Sequence, residues 1–180
     1  MNLIGLNTEN KTERPPHTVS VIKKSNGFRD VIDVLNENYQ FSRFCTALET
    51  AGADIELDRI GAFTLFAPTN GAFEHSDILA QACCSQKSAL QFVNTYVAGA
   101  RRSTSAFLGR RTWVRNLNGQ RLLIDGKRNF TLQGAAITQG DWNVRNGVVH
   151  ELADLIDDTA YPFVSPLGRP VRQALSLQAA

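Results

Sequence analysis

Residues 63–73, FTLFAPTNGAF, leave the backbone few choices. Phe63, Thr64, Leu65 and Phe66 have the aromatic, β-branched and aliphatic character of a buried strand. Ala67 leads into Pro68, which has no N–H to give to a ladder, so the strand ends there. Thr69 then takes the N-cap position, with a hydroxyl placed to accept from an amide one turn on. Residues 70–74 read as the first turn of a helix, with Phe73 facing inward and Glu74 near the positive end of its dipole. The stretch is a buried strand that turns sharply into a short helix, pinned by an aromatic at each end.

Around this corner the periodicity divides the chain in two. Phe28, Val31, Ile32 and Leu35 predict a helix over 28–36. Phe41, Phe44, Cys45 and Leu48 repeat the pattern behind Ser42, with Gly52 as a stop. Ile55, Leu57 and Ile60 make a short apolar stretch into Gly61. Beyond the corner, Ile78 and Leu79 begin a helical segment reaching Cys84. Ser85 caps a further helix carrying Leu90, Phe92, Val93 and Tyr96, closed by Gly99. Residues 101–109 are a polar connection. From Thr112 short strands take over, separated by turn signals at Asn118-Gly119, at 126–129, at Gln139-Gly140 and at Asn146-Gly147. Helices first and a meander of strands second predict an α+β fold.

The length of 180 residues suits one domain with tails: a polar, flexible leader over 1–27, the domain over 28–158 and a tail over 159–180. Val171, Ala174, Leu175 and Leu177 suggest a short amphipathic helix in that tail. The first 17 residues lack the basic start and apolar core of a signal peptide. No apolar run approaches the roughly 18 residues of a transmembrane helix. The net charge of +2 carries no message, but its distribution does. Residues 30–77 are mostly acidic, whereas Arg101, Arg102, Arg110, Arg111, Arg115, Arg121, Lys127 and Arg128 face a single Asp125. Cys45, Cys83 and Cys84 match no zinc spacing and read as small buried thiols.

A second anchor is NGVVH, residues 146–150. Asn146-Gly147 makes a tight turn, Val148 and Val149 enter the sheet, and His150 shares a face with Val148. His150 reads as a core histidine bonded to backbone rather than as a ligand or a catalytic base.

The two boxes together resemble the fasciclin (FAS1) domain family. The first matches its FTLFAPT-x-x-AF box through Phe63, Thr64, Phe66, Ala67, Pro68, Thr69 and Phe73. The second matches its NGVVH-x-(I/L)-D box through Asn146, Gly147, Val148, Val149 and His150, with Ala153 where Asp is usual. The resemblance implies a wedge-shaped β-structure, sheets or a barrel of short strands, flanked by helices. It implies a non-catalytic adhesion or matrix-binding module that is extracellular, at a cell surface or periplasmic. One departure is the stretch Asn94, Thr95, Tyr96, Val97, which has the tyrosine but not the histidine of the family's Tyr-His pair. Integrin adhesion of the animal type is therefore not expected, and the chain looks like a single-domain bacterial or algal member.

The residues agree with a binding role. No phosphate-binding glycine loop, G-x-S-x-G elbow or H-E-x-x-H occurs, so no catalytic residue, metal or cofactor is expected. Arg110, Arg111, Arg115, Arg121 and Arg128, with Trp113 among them, form the candidate binding surface. Arginine reads carboxylate and sulfate groups in a bidentate way, so the expected partner is an anionic polysaccharide or a protein, with self-association open. No nucleic-acid motif accompanies the charge. The alternative is a carrier of an apolar small molecule such as a carotenoid, as in some algal members. Phe107, Trp113, Trp142 and Phe163 would line its groove.

Overall fold

Apolar residues at helical spacing build α1 (Val31–Asn36), α2 (Ser42–Ala51), α3 (Ala53–Ile60), α4 (Ile78–Ala82) and α5 (Gln86–Thr95). The computed structural model describes residues 30–145 and 147–156. Readings that fall on Phe28, on Asn146, on the leader or on the tail therefore lie outside the described residues. Gly52, at φ 63°, ends α2 in the left-handed conformation and lets α3 start at once. Ile55, Leu57 and Ile60 thus belong to a helix. Ser85 caps α5, its hydroxyl accepting from the Ser88 N–H at 3.1 Å. No described helix is long and apolar enough to cross a membrane.

The strands are β1 (Phe63–Pro68), β2 (Val97–Gly99), β3 (Arg111–Arg115), β4 (Arg121–Asp125), β5 (Thr131–Leu132), β6 (Ala135–Asn143) and β7 (Gly147–Leu152). They form one seven-stranded sheet in the order β2-β1-β7-β6-β5-β4-β3. The class is α+β, as expected, but the sheet is open rather than a closed barrel. It curls until its end strands nearly meet. Ala98 of β2 bridges Asn116 just past β3, and the Leu117 N–H donates to the Val97 carbonyl at 2.9 Å.

The two sequence boxes lie side by side at the centre. β1 and β7 run parallel with Phe63 opposite Gly147, Phe66 opposite His150 and Pro68 opposite Leu152. Every residue of β1 is buried, as a strand covered on both faces must be. Phe41, Phe44 and Leu48 of the helical layer close the core over it. Phe44 meets Phe92 and Tyr96 edge-on, at 6.3 and 5.7 Å between ring centroids.

Four local expectations are corrected. The turn after β1 is a 3-10 turn over Asn70–Phe73, and the Thr69 hydroxyl does not cap it. The Thr69 backbone N–H instead donates to the Leu152 carbonyl at 2.9 Å, which carries the β1–β7 ladder one step further. Gly99 does not close α5 but ends β2, because the chain passes straight from the helix into the sheet. Gln139-Gly140 is not a turn but the irregular middle of β6, where the register with β7 shifts. The thiols are not all buried: Cys45 is, Cys83 is half-buried and Cys84 is exposed.

Candidate functional site

The outer face of the β3–β4 hairpin gathers part of the predicted surface. Alternation along β3 turns Thr112 and Val114 one way and Arg111, Trp113 and Arg115 the other. Register then sets Arg111 opposite Asp125, Trp113 opposite Leu123 and Arg115 opposite Arg121. Arg111 Nε donates to Asp125 Oδ2 at 2.7 Å. The Lys127 backbone N–H and this guanidinium hold the Asp125 carboxyl below its usual range. Arg115 and Arg121 have no acidic partner among the described residues. Two like charges directly opposite each other repel, so this pair costs the hairpin stability rather than adding to it. Trp113, 50% exposed, stands on the same face. Arg110 and Arg128 are exposed but lie outside the strands, so the ladder does not fix them on this face.

The residues of the two boxes do other work. Phe63, Thr64, Phe66, Ala67, Pro68, Phe73, Gly147, Val148, Val149 and His150 are buried, and Thr69 is half-buried. Thr64 and His150 fasten the connection that leads from β2 to β3. Thr64 Oγ1 donates to the Ala100 carbonyl at 2.8 Å and accepts the Arg102 N–H at 3.0 Å. His150 Nδ1 accepts the Asp141 N–H at 3.2 Å, and Nε2 lies 2.9 Å from the Arg102 carbonyl. A carbonyl only accepts, so Nε2 carries the ring proton and both nitrogens are committed. Burial pushes the His150 pKa down, against the pull of the Arg102 carbonyl and the Asp141 charge. The Asp141 carboxylate in turn accepts the backbone N–H and the hydroxyl of Thr104.

Sequence reasoning missed Arg102, Thr104, Gly140 and Asp141 in this clamp. A Cβ on Gly140 would sit 2.8 Å from His150 Nδ1 and 2.7 Å from Thr104 Cγ2, so a side chain there has no room. Asp141 takes φ 63°, a left-handed conformation that Asp tolerates better than most residues. Among the described residues no three His, Cys, Asp or Glu side chains gather as a metal site would require. The aromatics named for a carrier groove have separate surroundings. Phe107 is buried near His150, Trp142 packs on Phe41 and Trp113 stands on the hairpin, while Phe163 lies outside the described residues.

Comparison with known proteins is consistent with this geometry. The family model of the fasciclin domain matches residues 39–158. The chain belongs to the fasciclin domain family. A transforming growth factor-beta-induced protein ig-h3 from Sus scrofa is 30% identical over 129 residues, which cover 68% of this chain and 18% of that protein. The chain thus spans under a fifth of that relative's length. An uncharacterized protein of Synechocystis sp. is 27% identical over 128 residues, covering 71% of this chain and 96% of the relative. In fold, the chain is similar to a FAS1 domain pair from the insect cell adhesion molecule Fasciclin I. That likeness has a TM-score of 0.54 at 22% identity, over 73% of this chain and 49% of the other.

Fasciclin domains are generally non-catalytic, and the clamp, with both histidine nitrogens bonded to backbone, reads as structural. Tyr96, the residue left of the family's Tyr-His pair, is 2% exposed and packs between Phe44 and Phe92. It serves the core of this fasciclin domain.

Proposed function

We propose that this fasciclin domain is a non-catalytic adhesion module that holds an anionic polysaccharide of a cell surface or matrix on the outer face of its β3–β4 hairpin. One observation carries the reading: an exposed indole shares a strand face with Arg115 and Arg121, whose charges no acidic side chain among the described residues neutralises. Anionic groups of the polymer pair with the guanidiniums, and a sugar ring stacks on Trp113. Arg110 and Arg128 add charge at the ends of the hairpin and raise the local concentration of the polyanion. The description of the structural neighbour as a cell adhesion molecule supports the class of function. It also supports a cell-surface location.

The test is retention on immobilised acidic polysaccharides at low and moderate salt. Arg115→Ser with Arg121→Ser leaves the Arg111–Asp125 pair intact, so the doubly substituted hairpin stays folded. Retention by the wild type should fall steeply as the screening length shrinks to about 8 Å near physiological salt. The variant should not be retained at all. Equal retention of the two proteins would reduce the arginines to a solvated face. Retention by an acidic protein, or by a second copy of the chain, in place of every polysaccharide would move the partner to another class.

A further inference from the structure

A second surface, apart from the hairpin, has a different chemistry. Between α1 and the later half of β6 lies a cleft of about 440 Å³, lined by Val34, Glu37, Asn38, Gln139, Trp142 and Asn143. Its volume falls within the roughly 300–1,000 Å³ common for ligand clefts. Its floor is set by the irregularity in β6. Gln139 pairs with Glu151 and Trp142 with Val149, so three steps along β6 match two along β7. In a regular strand, residues three apart face opposite sides. The extra residue brings Gln139 and Trp142 onto one face, and the His150–Asp141 bond holds it there.

The lining offers one aromatic plane and several neutral hydrogen-bonding groups. Trp142 packs edge-on against the fully buried ring of Phe41, at 5.4 Å and 79°, which fixes the plane of the indole. Its N–H has no hydrogen-bond partner among the described residues, and neither does the Gln139 amide. Asn38 Nδ2 donates to the Val34 carbonyl at 2.7 Å, which orients the amide and leaves Oδ1 to accept from a ligand. Asn143 is held by Arg101 at 2.7 Å and by the Asp141 carbonyl at 3.2 Å. The lining residues include no cation, so none of them offers an anion an ion pair. A wholly apolar ligand would leave the amides without partners. What fits is an uncharged molecule with an apolar face and a rim of hydroxyls.

We propose that this cleft binds a neutral sugar residue of a polysaccharide, its ring stacked on Trp142 and its hydroxyls bonded by Gln139 and Asn38. The site is independent of the arginine face, since its recognition uses no ion pair. The domain then grips a matrix at two places with two chemistries.

The chain has two tryptophans, so Trp113→Phe makes Trp142 the sole indole reporter. This protein is titrated with β-1,4-linked hexasaccharides of glucose, mannose, galactose and xylose, and indole emission is followed. The expected result is a saturable change with at least one sugar, unaltered by added salt. Gln139→Ala, a change at an exposed position, should weaken that binding about tenfold or more with the near-ultraviolet circular dichroism unchanged. Flat titrations with all four sugars overturn the proposal. So does binding that Gln139→Ala leaves intact. Binding that salt and Arg115→Ser abolish also overturns it, because the sugar then belongs to the hairpin, and that outcome leaves the anionic reading standing.

Discussion

Lowering the pH through the range where an ordinary histidine takes a proton should weaken this fold through His150. In the folded chain Nδ1 faces the Asp141 N–H, so a second ring proton would set donor against donor. The site is buried, and burial holds the folded pKa below the ordinary value near 6.5. Below about pH 6.5 the unfolded chain therefore binds a proton that the folded chain refuses. Stability rises with pH in that window and is lost as pH falls from about 6.5 toward the depressed folded pKa, with a ceiling of about 1.4 kcal/mol per pH unit. The assay is urea unfolding at a series of pH values for the wild type and His150→Gln. The comparison isolates the contribution of His150. The substitution itself should cost about 1–3 kcal/mol for each of the Asp141 N–H and the Arg102 carbonyl that loses its partner. Parallel profiles for the two proteins between about pH 7 and 5 would refute the reasoning. A stoichiometric transition metal lost on His150→Gln would refute the assignment of both nitrogens to backbone.

Phe66 is fully buried with its ring 5.4 Å from that of His150, so Phe66→Ala should destabilise by about 3–5 kcal/mol, read from the thermal midpoint. An unchanged midpoint would remove the central strand from the role argued for it. Burial and the Glu49 charge push the Cys45 thiol up to about 11, leaving about one thiolate in ten thousand at neutral pH. A thiol reagent should label exposed Cys84 first and reach Cys45 only when urea unfolds the chain; early mass-spectrometric labelling of Cys45 in the native protein would contradict this.

Elements signalled by neighbouring residues were legible in the sequence. Ser85 caps α5 and Gly52 stops α2 because each acts on backbone groups within one turn. Asn118-Gly119 lies between β3 and β4, though in the longer loop that the Asn116–Gln120 bonds close. The parallel pairing of β1 with β7 was not legible. Its partners are far apart in sequence and each strand reads alike with any neighbour. Gly99 misled for a related reason: a glycine past a helix predicts a cap only when the chain does not enter a sheet at once.

The candidate surfaces divide along the same line. Strand alternation alone puts Arg111, Trp113 and Arg115 on one face, and hairpin register adds Arg121. Alternation says nothing of Arg110 and Arg128, which lie outside the strands. The cleft was invisible because it depends on a residue inserted into β6, which reverses the parity that a period of two assumes. Counting from Ala135, the pattern sets Gln139 and Trp142 on opposite faces, and only the observed register unites them. Two features make that insertion possible: the bare Cα of Gly140 within it, which leaves room for the imidazole, and the His150 acceptor on the next strand, which satisfies the Asp141 N–H. The histidine box thus acts on the cleft through the strand beside it, and a side chain outside the lining decides which side chains form it.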